Sequence, residues 1–148
     1  MKNSIFTLFI AVFLLISSGF EAKAQTVSSV ISNFLGEYSW SLLYGTFQDH
    51  ANLFANPVYF EGKNYNSSGI TKVAKNFYSN YQTIAHRFEI VLTDYDQNKN
   101  EIMIMAVEYQ TVKNRKTGVV SSTHDLKQIH LINQYGWKCS SKYHGSLY

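Results

Sequence analysis

Cysteine and proline are nearly absent: the 148-residue chain has one of each, Cys139 and Pro57. A single thiol excludes an internal disulfide, so the folded chain depends on its apolar core even in an oxidising compartment. Charge of one sign is scarce as well. Thirteen Lys and Arg stand against ten Asp and Glu, and the one tight basic group, Lys113, Arg115 and Lys116, falls in an expected turn. Binding to nucleic acid or to an anionic membrane calls for clustered cations, so neither is expected. No His-x-His or His-Glu-x-x-His pattern occurs, which leaves no sequence ground for a metal site, and no cofactor is expected.

Long hydrophobic runs are confined to the N-terminus. Lys2 precedes an apolar run over 5–16, followed by small residues and by Ala22-Lys23-Ala24 before Gln25. That order of charge, apolar stretch and A-x-A site is that of a secretory signal peptide, expected over 1–24 with removal after Ala24. The run is too short to cross a bilayer, so no stable membrane anchor is expected. The remaining residues, 25–148, make one domain, exported to the periplasm or beyond the cell.

What the chain has in quantity is aromatics, with ten Phe, eleven Tyr and two Trp. They supply a large apolar surface for a core or for the lining of a cavity. Val27, Val30, Ile31, Phe34, Tyr38 and Leu42 fall on one stripe of a helix over 27–45. A second helix is expected over 49–55, with Asp49 as its N-cap and Asn56-Pro57 as its stop. A short strand over 58–60 and a polar loop follow. Ser67 or Ser68 caps a third helix that buries Ile70, Val73, Ala74, Phe77 and Tyr81. Asn66-Ser67-Ser68 also matches a glycosylation sequon, though a cap and turn explain it more simply.

The rest reads as four long antiparallel strands, over 84–93, 101–111, 119–132 and 137–143, joined by polar turns. The strand from Glu101 is apolar on both sides in its first half and therefore central. Centring the first hairpin on its turn pairs Leu92 with Met103, Ile90 with Met105, Phe88 with Val107 and His86 with Tyr109. The loop of the middle hairpin allows either Leu126 or Lys127 opposite Met105, and Leu126 is placed there. A two-residue loop at Gln134-Tyr135 pairs Ile132 with Trp137, His130 with Cys139 and Leu126 with Tyr143. Register decides which side chains share a face. The expected pocket face holds His86, Tyr109, His124, Gln128, His130 and Cys139 among Met103, Met105, Val107, Leu126 and Trp137. Val91, Ile102, Ile104, Ala106, Ile129 and Leu131, with Arg87, Glu89, Asp125 and Lys127, form the other face. So much apolar area there points to pairing with an identical subunit.

Three helices, a short strand between the second and third, and four long strands resemble the NTF2-like, or cystatin-like, superfamily. Leu53-Phe54-Ala55, Gly69-Ile70 and Tyr135-Gly136-Trp137-Lys138 resemble its SnoaL-like and ketosteroid-isomerase-like branches. The resemblance implies an α+β cone, with the helices packed on a curved, mostly antiparallel sheet of one short and four long strands. Ketosteroid isomerases use a carboxylate base after the short strand, and an oxyanion hole formed by a tyrosine on the first helix and a protonated aspartate on a late strand. Tyr38 and Gln128 fall at the two oxyanion positions; Gly62 falls at the base position, with Glu61 beside it.

Two functions are expected from these residues. One is a non-catalytic domain binding a small, largely apolar molecule or a peptide in its cone. The other is an isomerase, dehydratase or cyclase in which Tyr38 and Gln128 polarise a carbonyl while Glu61 or His86 moves a proton. A structural module with a filled cone is a third. Cys139 beside His130 suggests a thiolate–imidazole pair, but a buried cysteine in a strand is the commoner case.

Overall fold

The computed structural model describes residues 27–145; the expected signal peptide lies outside them. The chain divides into two units, residues 1–32 and 33–148. The first contributes residues 27–32, the opening of a helix, α1, that runs over 27–44. The second holds the rest of α1 and every other described element: α2 (Phe47–Ala51), β1 (Phe54–Phe60), β2 (Lys63–Tyr65), α3 (Ser67–Asn80), β3 (Tyr81–Asp96), β4 (Glu101–Asn114), β5 (Val120–Asn133) and β6 (Trp137–His144). The six strands form one sheet in the order β2-β1-β6-β5-β4-β3. All neighbours are antiparallel except β1 and β6.

The architecture is α+β with four long strands, as expected, but the single short strand is a hairpin of two. Phe60 pairs with Lys63 across Glu61 and Gly62, whose φ angles are 44° and 86°. Two left-handed residues in a two-residue loop match the right-handed twist of the flanking strands, and Gly62 takes the second position without a Cβ penalty.

Helix ends also moved. Thr46, not Asp49, caps α2: its hydroxyl accepts from the Asp49 N–H while the Asp49 carboxylate accepts from the Thr46 N–H, a capping box. The helix ends at Ala51 because Phe54 and Ala55 already belong to β1. Pro57 therefore sits inside a strand. It lies where the β1–β6 register shifts between Phe54 and Tyr59, so its missing N–H interrupts no regular ladder. Asn66, rather than Ser67 or Ser68, caps α3 by accepting from the Gly69 N–H at 2.9 Å. This is the asparagine of the sequon, and the cap is what its side chain does here.

The register differs in each hairpin. The first closes on a longer reach, so Leu92 faces Met105 rather than Met103; a bulge between Ile90 and Leu92 then shifts the ladder by one. Ile90 meets Ala106, Phe88 meets Glu108 and His86 meets Gln110, where Met105, Val107 and Tyr109 were expected. Met105 pairs with Gln128 and Val107 with Leu126, two residues from the expected match, which preserves the alternation. Between β5 and β6 the loop has three residues. A further bulge at His130 and Leu131 sets Trp137 against Asn133, Cys139 against Leu131 and Tyr143 against Gln128, not against Ile132, His130 and Leu126. Each bulge inserts one unpaired residue and turns the following side chains to the other face.

The larger correction is which face the helices cover. Ile102, Ile104, Ala106, Ile129, Leu131 and Cys139 are all 0% exposed, each large aliphatic among them worth about 1.5–3 kcal/mol of burial. This face, expected to meet a second subunit, is the core. Glu108, Lys127 and Lys142 share it and are buried as ion pairs. Met103, Tyr109, His124 and Gln128 lie on the opposite face.

Thr83, at the bulged start of β3, is 6% exposed and its hydroxyl has no hydrogen-bond partner among the described residues. A buried hydroxyl left unpaired costs about 1–3 kcal/mol, so the isosteric Thr83→Val raises stability by about 1 kcal/mol. Urea midpoints of the two proteins check this, and an unchanged or lower midpoint contradicts it.

Candidate functional site

A cavity of about 200 Å³ lies between the helices and the helix-facing side of the sheet. One wall is apolar, made by Leu42, Phe54, Phe60, Ile70, Val73 and Phe77. The other is polar. Strand alternation brings Glu108 and Gln110 from β4, Thr123, Asp125 and Lys127 from β5, and Lys142 from β6 onto it, with Tyr38 and His50 from the helices and Glu61 from the β1–β2 turn.

Its deepest part is a chain of hydrogen bonds. The Lys142 ammonium donates to the Tyr38 hydroxyl at 2.6 Å and to Glu108 Oε1 at 2.8 Å. Glu108 Oε1 also receives His86 Nε2 at 3.0 Å, and His86 Nδ1 meets Ser39 Oγ at 2.9 Å. Lys142 lies 4.5 Å from the Tyr38 ring centre, within cation–π range. Burial alone would raise the Glu108 pKa, but the Lys142 charge and the bonds from His86 and Lys142 outweigh it and hold the carboxyl down at about 2. Burial first, then the Glu108 charge, pushes Tyr38 well above the usual phenol value. Tyr38 is therefore a neutral hydroxyl. Lys142 occupies one of its lone pairs, and its own hydrogen has no acceptor among the described residues.

His50 is fixed by a second network. Ser41 Oγ donates to the Tyr38 carbonyl at 2.7 Å, so the 2.8 Å contact between Ser41 Oγ and His50 Nδ1 must be donated by Nδ1. Nε2 is then the bare nitrogen. Burial, followed by the nearby Lys142 charge, lowers the His50 pKa to about 3, so the ring is neutral across the physiological range.

Nearer the opening, Glu61 Oε1 is 2.8 Å from Lys127 Nζ, and Glu61 Oε2 is 3.4 Å from His144 Nε2. Glu61 reaches the cavity from the β1–β2 turn, where its φ is positive. Asp125 also lines the cavity and is exposed, and its carboxylate has no ion pair or hydrogen bond among the described residues.

Of the residues singled out from the sequence, the structure brings Tyr38 and Glu61 to one cavity and sets His86 behind them on Glu108. Gln128 is elsewhere: its amide meets His130 Nε2 at 2.9 Å on the outer face. Tyr109 carries the Arg87 guanidinium 3.8 Å over its ring and stacks with His124. His130 is held by Glu101 at 2.7 Å and stacks with Tyr143. Met103 and Met105 share that outer face, and Trp137, at the start of β6, does not line the cavity. Cys139 is buried on the core face, its thiol pushed up to about 12 by burial, and it does not pair with His130.

Sequence reasoning passed over His50, Glu108, Lys142 and Asp125. A lysine and a glutamate on strands read as solvent-facing residues; only the register shows that Glu108 and Lys142 are on one face. Among the described residues, no group of three or more His, Cys, Asp or Glu is placed to hold a metal ion, and no helix is long and apolar enough to cross a membrane.

Comparison with solved structures places this geometry in a known architecture. A dehydratase assigned to the NTF2-like family, from Streptomyces avermitilis, superposes with a TM-score of 0.63 at 10% identity, over 80% of this chain and 95% of that one. The chain has the NTF2-like fold. A protein assigned as a scytalone dehydratase from Novosphingobium aromaticivorans gives 0.67 at 12% identity, over 83% and 85%. A ketosteroid isomerase-like protein from Erwinia carotovora atroseptica gives 0.63 at 13%, over 78% and 92%. No family model and no curated protein sequence matches. The NTF2-like fold accounts for the cavity between helices and sheet; the side chains in it are this chain's own.

Proposed function

We propose that this NTF2-like domain is an exported, non-catalytic binding protein whose cavity takes a small, single-ring, largely apolar molecule carrying an acceptor oxygen. The observation that carries the reading is the Tyr38 hydroxyl. The residue is 3% exposed, its hydroxyl is backed by the Lys142 ammonium, and the hydroxyl hydrogen is left for a ligand. A volume of about 200 Å³ is below the roughly 300–1,000 Å³ typical of drug-sized ligands, which favours a small molecule over a peptide. The apolar wall takes the ring, and a hydroxyl oxygen would also find the bare His50 nitrogen in the same lining.

The acid–base groups support binding over turnover. Glu108, held at about 2, is too weak a base near neutral pH, and the Cys139 thiol, at about 12, supplies no thiolate. Export rests on the N-terminal pattern described above.

Calorimetry of residues 25–148 with 4-ethylphenol and with ethylbenzene tests the reading. The phenol is expected to bind about tenfold more tightly, the worth of one hydrogen bond to a buried donor. Tyr38→Phe should erase that difference and leave the hydrocarbon unaffected. Equal affinities for the wild type would refute it.

Glu61 in the same cavity as Tyr38 favours a second reading, proton transfer next to a carbonyl. Deuterium exchange at the carbon beside the carbonyl of a small cyclic ketone, followed by NMR and lost in Glu61→Gln, would establish the enzyme in place of the binder.

A further inference from the structure

The lining of the cavity is not electrically balanced. Lys142 is matched by Glu108 at 2.8 Å and Lys127 by Glu61 at 2.8 Å. That leaves Asp125, the third carboxylate of the lining, with no cation of its own among the described residues. Its position is fixed by the ladder: Asp125 is the cross-strand neighbour of Glu108, and Thr123 that of Gln110. Glu108 and Tyr38 lie at the buried end, 8% and 3% exposed, whereas Asp125 and Thr123 are exposed. The cavity therefore has a hydrogen-bond donor at its inner end, an apolar wall along its length and an uncompensated negative charge at its opening.

Resting on the binding reading above, we infer that the ligand is a cation: a small ring with an acceptor oxygen at one end and a protonated amine at the other. The oxygen meets the Tyr38 hydroxyl and the ammonium meets Asp125. An anionic tail in the same place would face Asp125 with no lysine free to offset it, because both lysines of the lining are already engaged. Coulomb attraction near the protein surface is partly screened, so Asp125 sorts ligands by charge through a modest factor rather than an absolute one.

Three phenols of nearly equal size isolate that factor: tyramine, 4-ethylphenol and 4-hydroxyphenylacetate, with cationic, neutral and anionic tails. Affinities are measured by calorimetry at pH 8. The expected order is tyramine, then 4-ethylphenol, then 4-hydroxyphenylacetate, with each step about threefold to tenfold. Asp125→Asn should collapse the order to within about twofold, and circular dichroism confirms that the variant is folded. Binding of all three with equal or reversed affinity overturns the cationic assignment and leaves the binding reading standing. Failure of all three to bind the wild-type protein overturns both. An order that survives in Asp125→Asn also overturns the assignment, because the selectivity then lies in another group.

Discussion

Glu108→Gln is expected to destabilise the fold by about 3–5 kcal/mol, the usual cost of removing one partner from a buried ion pair. Lys142 is 4% exposed at its side chain, and Glu108 is its only carboxylate at contact distance among the described residues. The amide can still accept a hydrogen bond, but it leaves an ammonium in a nearly dry core facing only neutral acceptors. The same change strips His86 Nε2 of its ionised partner. For a domain of this size the loss corresponds to a fall in melting temperature of roughly 10–20 °C. The companion experiment is Glu108→Gln with Lys142→Met. If the cost is an orphaned charge, the double variant recovers most of the stability, because no buried charge is then left without a counter-ion. A single variant within about 1 kcal/mol of the wild type would show that Lys142 reaches water or sheds its proton at little cost, and the buried chain from Ser39 to Tyr38 would lose its role as a rigid support.

The second large effect is acid lability centred on His50. Its folded-state pKa, about 3, lies below the ordinary imidazole value of 6.5 because burial resists the charged form. The unfolded chain therefore binds a proton that the folded chain refuses at any pH between these two values. Stability is full above pH 6.5 and falls with acidification by about 1.4 kcal/mol per pH unit, reaching about 5 kcal/mol near pH 3. Glu108 adds to the loss further down. Its pKa is depressed from 4.5 to about 2, so its contribution is present above pH 4.5 and lost as the pH falls through 2. Denaturant titrations at pH 8, 6, 5 and 4 should show the decline, and His50→Gln should flatten it between pH 6.5 and 4.5. A wild-type midpoint that does not move between pH 8 and 5 rules this account out.

Much of the architecture was legible in the chain. The order of helices and long strands follows from period-three-and-four and period-two patterning, and the alternation along β4 and β5 was assigned with the correct sets of residues together. What was read the wrong way round is which set faces the helices. β4 is apolar on both sides, so its pattern alone cannot say which side is covered. The histidines, tyrosines and methionines of one set were placed in the pocket, yet the rival set, in which the structure buries Glu108, Lys127 and Lys142, faces the helices. Charges on a strand normally mark solvent; here they cancel in pairs, and only contacts between distant strands reveal the cancellation. The uninterrupted aliphatic set Ile102, Ile104, Ala106, Ile129 and Leu131 carried the opposite signal. β-Branched and small side chains without polar atoms pack best in a closed core, and that argument deserved more weight than the position of the imidazoles.

Tyr38 and Glu61 were identified through the family resemblance, and both reach the cavity from elements whose geometry is local, a helix and a tight turn. Gln128 was not in the cavity because its set along β5, cross-strand to Met105 on β4, faces away from the helices. His86 reached the buried network because the bulge at Ile90 and Leu92 turned it toward Glu108 and away from Tyr109, and a bulge has no sequence signature of its own.

The order of the sheet bears on how the protein is made. β6, the last of the described strands, lies between β1 and β5, so the hairpin synthesised first and the meander synthesised next share no edge until residues 137–144 have left the ribosome. Those same residues carry Lys142. A nascent chain that stops short of them holds Glu108 without its counter-ion and the sheet in two pieces, so the two halves of this fold join only once β6 has emerged.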